Sequence, residues 1–308
     1  MEWVFGNRPA VGAREQGIAA ILVAVFLLSL GDSLVKLSGD RFGLAQLILV
    51  RSAVAGFFLA TWLLAAHGRS ALAPVKTGWV WARSLCLAAM WLSYYAALPS
   101  MSFALAAACY YTSPVWMALM ARFLLGASIG GAGWTAIGLS LAGVVVAVAP
   151  SPETLTPVLL LPLAAAGFYA LSGIITWSRC REETAGAMAF TLNLCLCAVA
   201  ALGIVGLAIA GPAAGEGFVV AVWPALDATD WGLAIVLGGL LAIIATAVAF
   251  AYRRAPTPVV GVFDTAYLPF AALWGALLFA EMPTPREALG IAMIAAGGII
   301  MSCLSRLR

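Results

Sequence analysis

Residues 186–209 read GAMAFTLNLCLCAVAALGIVGLAI, without one charged side chain, and they set the physical class of the whole protein. A hydrocarbon core about 30 Å thick is crossed by roughly 20 helical residues. A helix also satisfies every backbone donor and acceptor where no water is available to do so. This run is therefore a transmembrane helix. Working outward in both directions, comparable runs fall at 17–37, 43–66, 78–98, 101–123, 131–149, 156–178, 231–252, 257–280 and 287–305, so ten spans are expected. The composition, 64% hydrophobic and 9% charged, excludes a soluble domain. Turn and charge signals punctuate the runs: Ser38-Gly39-Asp40-Arg41, Pro99-Ser100, Pro150-Ser151-Pro152-Glu153, Gly211-Pro212 and Pro283-Thr284-Pro285.

The basic residues orient the bundle. With the N-terminus cytoplasmic, the inner loops and helix ends hold Arg8, Arg14, Arg69, Lys76, Arg83, Arg122, Arg179, Arg181, Arg253, Arg254, Arg306 and Arg308. The outer side holds only Lys36, Arg41 and Arg286. Positive charge is retained on the cytoplasmic side, so both termini are expected inside a bacterial inner membrane. The net charge of +3 follows from that asymmetry and calls for no nucleic-acid partner. The first run ends in Asp32 and Lys36 with no cleavage site and is expected to remain as helix one.

Catalysis finds little to work with. Hydrolysis in a bilayer wants a serine beside a histidine, two deep aspartates, or a metal cluster. The one histidine, His67, falls in an inner loop, and Cys86, Cys109, Cys195, Cys197 and Cys303 fall within spans as small apolar residues. No cofactor, metal or enzyme activity is expected. The glycines from Gly126 to Gly133 follow no strand and precede no Gly-Lys-Ser/Thr, so Gly126, Gly130, Gly138, Gly143, Gly290 and Gly297 are read as close-packing points.

A repeat lies within the ten spans. Tyr110-Tyr111-Thr112-Ser113-Pro114 matches Thr265-Ala266-Tyr267-Leu268-Pro269, Tyr95-Ala96-Ala97-Leu98-Pro99 matches Tyr252-Arg253-Arg254-Ala255-Pro256, and Gly143 matches Gly297, all in the same order. The matches divide the single transmembrane domain into five-helix units at 15–150 and 153–308. Five being odd, the second unit enters the membrane upside down, the inverted-repeat architecture with a central cavity. The expected fold is thus all-α.

The chain resembles the EamA-type members of the bacterial drug/metabolite transporter superfamily over residues 15–308. The resemblance rests on the ten spans, Arg51 early in helix two, Tyr95-Ala96-Ala97-Leu98, the two proline-centred helices, Leu125-Gly126, and Ala280-Glu281-Met282-Pro283-Thr284. It departs from the family at Leu125-Gly126-Ala127, where an acid is usual, leaving Glu281 alone in that role. The resemblance implies export of small solutes and is nearest to exporters of aromatic and other neutral amino acids, with proton-coupled export of lipophilic cations, drugs or other metabolites of the same superfamily as the alternative.

The two proline breaks mark the expected site. Pro114 and Pro269 remove backbone donors in mid-helix and free the carbonyls of Tyr110 and Thr265. Around them stand Tyr111, Thr112, Trp116, Asp264, Tyr267 and Trp274, aromatic faces and acceptors suited to a small net-neutral solute. A plain packing kink is the simpler alternative. Of the intramembrane charges, Asp32 and Lys36 are four apart in the favourable helical order. Arg51 reaches a depth like that of Asp32, which favours an Asp32–Arg51 pair; receipt of a substrate carboxylate by Arg51 is the sharper alternative. Asp264 reads equally as a proton site or as a partner for Arg253 and Arg254. With no relay of paired carboxylates, facilitated transport is expected. Residues 218–223 are expected to lie on the membrane surface over the outer mouth, and monomer and homodimer remain equally open.

A cysteine introduced at 151–154 is expected to react with an impermeant maleimide on intact cells, and one at 182–184 only after permeabilisation. The reverse pattern removes the inverted repeat.

Overall fold

The structure is a computed structural model that describes residues 11–39, 41–74, 76–126, 128–148, 156–180, 182–211, 217–255 and 257–304. The expected turn at 150–153, the basic residues Arg8, Arg181, Arg306 and Arg308, and the stretch 212–216 lie outside the described residues. Twelve α-helices and three short 3-10 turns are described and no strand among the described residues. In chain order they are α1 Val11–Leu37, α2 Leu44–His67, α3 Thr77–Ala97, α4 Phe103–Tyr110, α5 Ser113–Leu125 and α6 Gly131–Val148. Then come α7 Leu160–Arg179, α8 Ala185–Ala210, α9 Ala228–Arg254, α10 Thr257–Asp264, α11 Tyr267–Phe279 and α12 Pro285–Leu304.

Counting α4 with α5 and α10 with α11 as single broken rods gives ten rods. Eight of the ten are long and apolar enough to cross a membrane. The other two are α3 and α12. Trp79, Trp81, Trp91, Tyr94, Tyr95 and Arg83 lower the hydropathy of α3, and the tyrosines among them turn out to matter for the interior.

Both breaks fall where the sequence places them, but they differ from kinks. Thr112 and Ala266 act as N-caps of new helices, so Pro114 and Pro269 lie in the first turns of α5 and α11. The missing proline N–H costs nothing there, because first-turn donors have no intrahelical partner. The carbonyl of Thr265 is accordingly not free: it accepts from the Leu268 N–H at 3.1 Å. The two second halves also end alike, with Gly126 (φ 69°) after α5 and Ala280 (φ 54°) after α11 in left-handed backbone. Ala280 is the one non-glycine residue with positive φ among those described, and the turn it makes sets Glu281 at the helix end.

The rods pack most extensively as α6 with α12, α3 with α7, α1 with α9 and α2 with α8. The closest pair is α6 with α12, where a Cβ on Gly290 would stand 2.5 Å from the Ala147 nitrogen and one on Gly143 would stand 2.8 Å from the Gly290 carbonyl. Small residues let two backbones touch, and dispersion and packing drive association in lipid. Gly126 and Gly138 are corrected, since a Cβ at either meets nothing within 4 Å. Gly126 serves as a helix C-cap instead.

The segment after Gly217 packs beside the start of α2. It is stitched to the turn between α1 and α2: the Leu44 N–H donates to the Phe218 carbonyl at 2.7 Å and Gln46 Nε2 to the Pro224 carbonyl at 3.0 Å. Phe218 is buried, whereas Val219 and Trp223 stay exposed. Asp227 and Asp230 then cap α9 reciprocally, and Arg41 reaches Asp230 at 3.4 Å.

Gly290→Leu is expected to lower stability by about 1–3 kcal/mol through overpacking of α6 on α12, while Gly138→Ala is neutral or slightly stabilising. Thermal unfolding of the detergent-purified variants, followed by loss of monodisperse protein, measures both.

Candidate functional site

The interior is organised around Asp32 on α1, which is 4% exposed. Its Oδ1 accepts from the Tyr95 hydroxyl at 2.8 Å and its Oδ2 from the Tyr267 hydroxyl at 2.7 Å. One carboxylate thus ties α1 to α3 and to the start of α11. Charge-assisted bonds of this kind are shorter and stronger than neutral ones, and they offset part of the desolvation cost of a buried carboxylate. Arg51 Nη1 donates to the same Tyr95 hydroxyl. The expected Asp32–Arg51 pair therefore runs through Tyr95 and is not direct. The physical reason is an intervening phenol on α3, able to donate to the acid and accept from the base at once.

Lys36 is also re-partnered. Its Nζ lies 2.5 Å from Glu281 Oε1 and 2.9 Å from the Met101 carbonyl, and 4.7 Å from the centre of the Phe279 ring. The other oxygen of Glu281 accepts the Phe103 N–H at 2.9 Å, at the otherwise unsatisfied start of α4. One acid therefore locks α1, α4 and α11 at one end of the bundle. The favourable spacing of Asp32 and Lys36 yields to tertiary partners because each finds a hydrogen-bonding partner across the bundle.

Between these polar ties lies an aromatic cluster. Tyr111 and Tyr267 stack with ring centres 5.2 Å apart and planes inclined by 25°. Tyr110 meets Tyr94 at 5.4 Å and Tyr111 and Tyr169 at 5.6 Å each. The Tyr94 and Tyr267 hydroxyls are 3.3 Å apart, and the Tyr111 hydroxyl donates to the Asp264 carbonyl at 3.2 Å. The helix breaks bring this about: each break turns the chain where Tyr110-Tyr111 ends α4 and where Tyr267 begins α11.

Of the expected site residues, Tyr110, Tyr111, Asp264 and Tyr267 come together. Thr112 is buried beside them with its hydroxyl on the Cys109 carbonyl at 2.7 Å, and Thr265 turns its own to the Val262 carbonyl at 2.6 Å. Trp116 is half-buried on α5 and makes no ring contact with the cluster among the described residues. Trp274 is pinned to α1 by a 3.1 Å bond from its Nε1 to Ser29 Oγ and by Phe26 at 5.3 Å. Asp264 does not partner Arg254, which donates to Gln16 at 2.9 Å. The sequence reading missed Trp91, Tyr94 and Tyr169 as site residues; the adjacent aromatics on α3 were the available signal. An apolar cavity of about 690 Å³ opens between α1, α2 and α9, lined by Phe58, Trp62, Ile243 and Phe250, and shares no residue with the tyrosine cluster.

Residues 15–149 match the EamA-like transporter family. Among characterised proteins, this chain is similar to a riboflavin transporter from Rhizobium johnstonii, 28% identical over 239 residues that cover 76% of this chain and 74% of that one. A solved crystal structure shares the fold with a TM-score of 0.63 at 22% identity, covering 96% of this chain and 98% of that one. The family match spans α1 to α6, and the structural likeness carries the fold through α12.

Lys36→Met is expected to cost about 1–3 kcal/mol, because it leaves Glu281 without its cation at a site 31% exposed on the Glu281 side. Lys36→Met with Glu281→Gln is expected to recover part of that loss, since the amide oxygen still accepts the Phe103 N–H. A double-mutant cycle on thermal stability reads the coupling.

Proposed function

We propose that this protein is an alternating-access transporter of small, net-neutral solutes that carry an aromatic ring, with aromatic amino acids as the leading class and export as the direction. The observation that carries the reading is the buried tyrosine cluster built at two helix breaks around Asp32. Aromatic faces hold a planar apolar group by stacking, and the neighbouring hydroxyls and acceptors orient its polar end.

The carrier mechanism rests on two inverted units, 15–150 and 153–308. Exchanging them maps the most extensive helix contacts onto one another, which supports the reading. α1 packs on α9 as α7 packs on α3; α2 packs on α9 as α8 packs on α3; α1 packs on α11 as α7 packs on α5. The pairs α2 with α8 and α6 with α12 map onto themselves. A bundle built this way has two arrangements of nearly equal energy, related by swapping the roles of the halves, which is what alternating access needs. Sidedness follows from the basic residues, with both termini cytoplasmic. The Lys36–Glu281–Phe103 lock is then the closed external gate, and its release opens the cluster outward.

Riboflavin is the second candidate substrate, because a characterised relative at 28% identity carries that name and an isoalloxazine ring also suits stacked tyrosines. Purified protein in proteoliposomes, preloaded with unlabelled solute, is expected to accumulate labelled tryptophan or phenylalanine by counterflow. Riboflavin and a lipophilic cation run as parallel arms. Accumulation of none of the panel overturns the reading. Tyr110→Ala and Tyr111→Ala are expected to weaken the transported solute several-fold, from loss of about 0.5–1.5 kcal/mol per ring pair, whereas Trp116→Ala has little effect. Equal effects of all three move the site off the cluster.

A further inference from the structure

Arg51 is 2% exposed, and only part of its guanidinium is used. Nη1 donates to the Tyr95 hydroxyl, and the guanidinium carbon lies 4.9 Å from the centre of the Trp91 ring and 5.0 Å from that of Tyr95. Nε and Nη2 are buried without a hydrogen-bond partner among the described residues. These two nitrogens define one edge of the guanidinium, and their N–H bonds leave it side by side. That edge matches the two oxygens of a carboxylate in a bidentate pair. Buried donors left empty are costly, and a membrane interior offers little to fill them.

Charge then narrows the occupant. Arg51 and Asp32, joined through Tyr95, cancel formally. A lone carboxylate on Arg51 would leave a net negative charge in a low-dielectric interior, which is unfavourable unless the solute brings its own cation. Asp32 accepts one tyrosine hydroxyl on each oxygen, and a carboxylate has lone pairs for more. An ammonium group on the same solute therefore has its counter-charge a single phenol away from Arg51.

We propose that the free edge of Arg51 seats the carboxylate of a zwitterionic α-amino acid whose ammonium turns to Asp32 and whose aromatic side chain enters the tyrosine cluster. This rests on the transport reading above and narrows it: of the two candidate substrates, the amino acid fits this subsite, and riboflavin, lacking both groups, does not.

The test uses the full chain in proteoliposomes, with labelled L-tryptophan counterflow competed by L-tryptophan, L-tryptophanamide and riboflavin. The amide keeps the ring and the ammonium and loses only the carboxylate. The wild-type protein is expected to prefer tryptophan to the amide by roughly tenfold or more, the scale of one charge-assisted bidentate pair. Arg51→Lys keeps the cation but not the parallel edge, and is expected to lose most of that preference while amide competition changes little. The wild-type comparison needs no variant, so a poorly folded Arg51→Lys leaves it decisive. Equal competition by amide and acid in the wild-type protein overturns the subsite, as does an equal loss of both in Arg51→Lys. Counterflow of riboflavin without tryptophan overturns the subsite and leaves the transporter reading standing; counterflow of no solute overturns the transporter reading itself.

Discussion

The structure depends on the buried carboxylate of Asp32. Burying an acid within an apolar span is expensive, and the chain offsets part of the cost with two phenols donated by α3 and α11, one of which also receives Arg51 from α2. Four helices are thereby held to one point. Alternative packings of apolar helices differ little in a solvent as apolar as their own side chains, so a polar tie of this kind selects among them.

That tie explains why the aromatic cluster sits where it does. Tyr267 can reach Asp32 only because α11 begins at the break after Thr265, and stacking on Tyr111 requires α4 to end at the matching place. Each half-helix is short and has its own first turn, in which a proline is no liability. The broken rods are thus compatible with a lipid environment while being poorly suited to act as continuous struts.

At the Lys36 end, the contacts have a different character. Lys36, Glu281, the Met101 carbonyl and the Phe103 amide form a compact polar lock over an apolar ring pair, Phe103 and Phe279 with centres 6.4 Å apart. With Glu281 31% exposed on its side chain, water competes for the pair more readily than it does at Asp32. The bundle therefore holds a deeply buried polar tie at Asp32 and a more exposed one at Lys36 and Glu281.

The ten helical rods, eight of them long and apolar enough to cross a membrane, the two breaks and the concentration of tyrosines around them were legible in the sequence, because hydropathy, proline placement and helical period are local properties that lipid reads residue by residue. The helix ends fell within a few residues of their expected places, and Tyr110, Tyr111, Asp264 and Tyr267 did converge. The choice of partners was not legible. Lys36 has Asp32 four residues away and takes Glu281, 245 positions along the chain; Arg51 reaches Asp32 only through Tyr95; Trp274 turns to Ser29. Each of these depends on which helices stand side by side and on the direction in which long side chains lean, and that is decided by the packing of small residues such as Gly143 on Gly290, a property of two surfaces together that neither stretch of sequence carries alone.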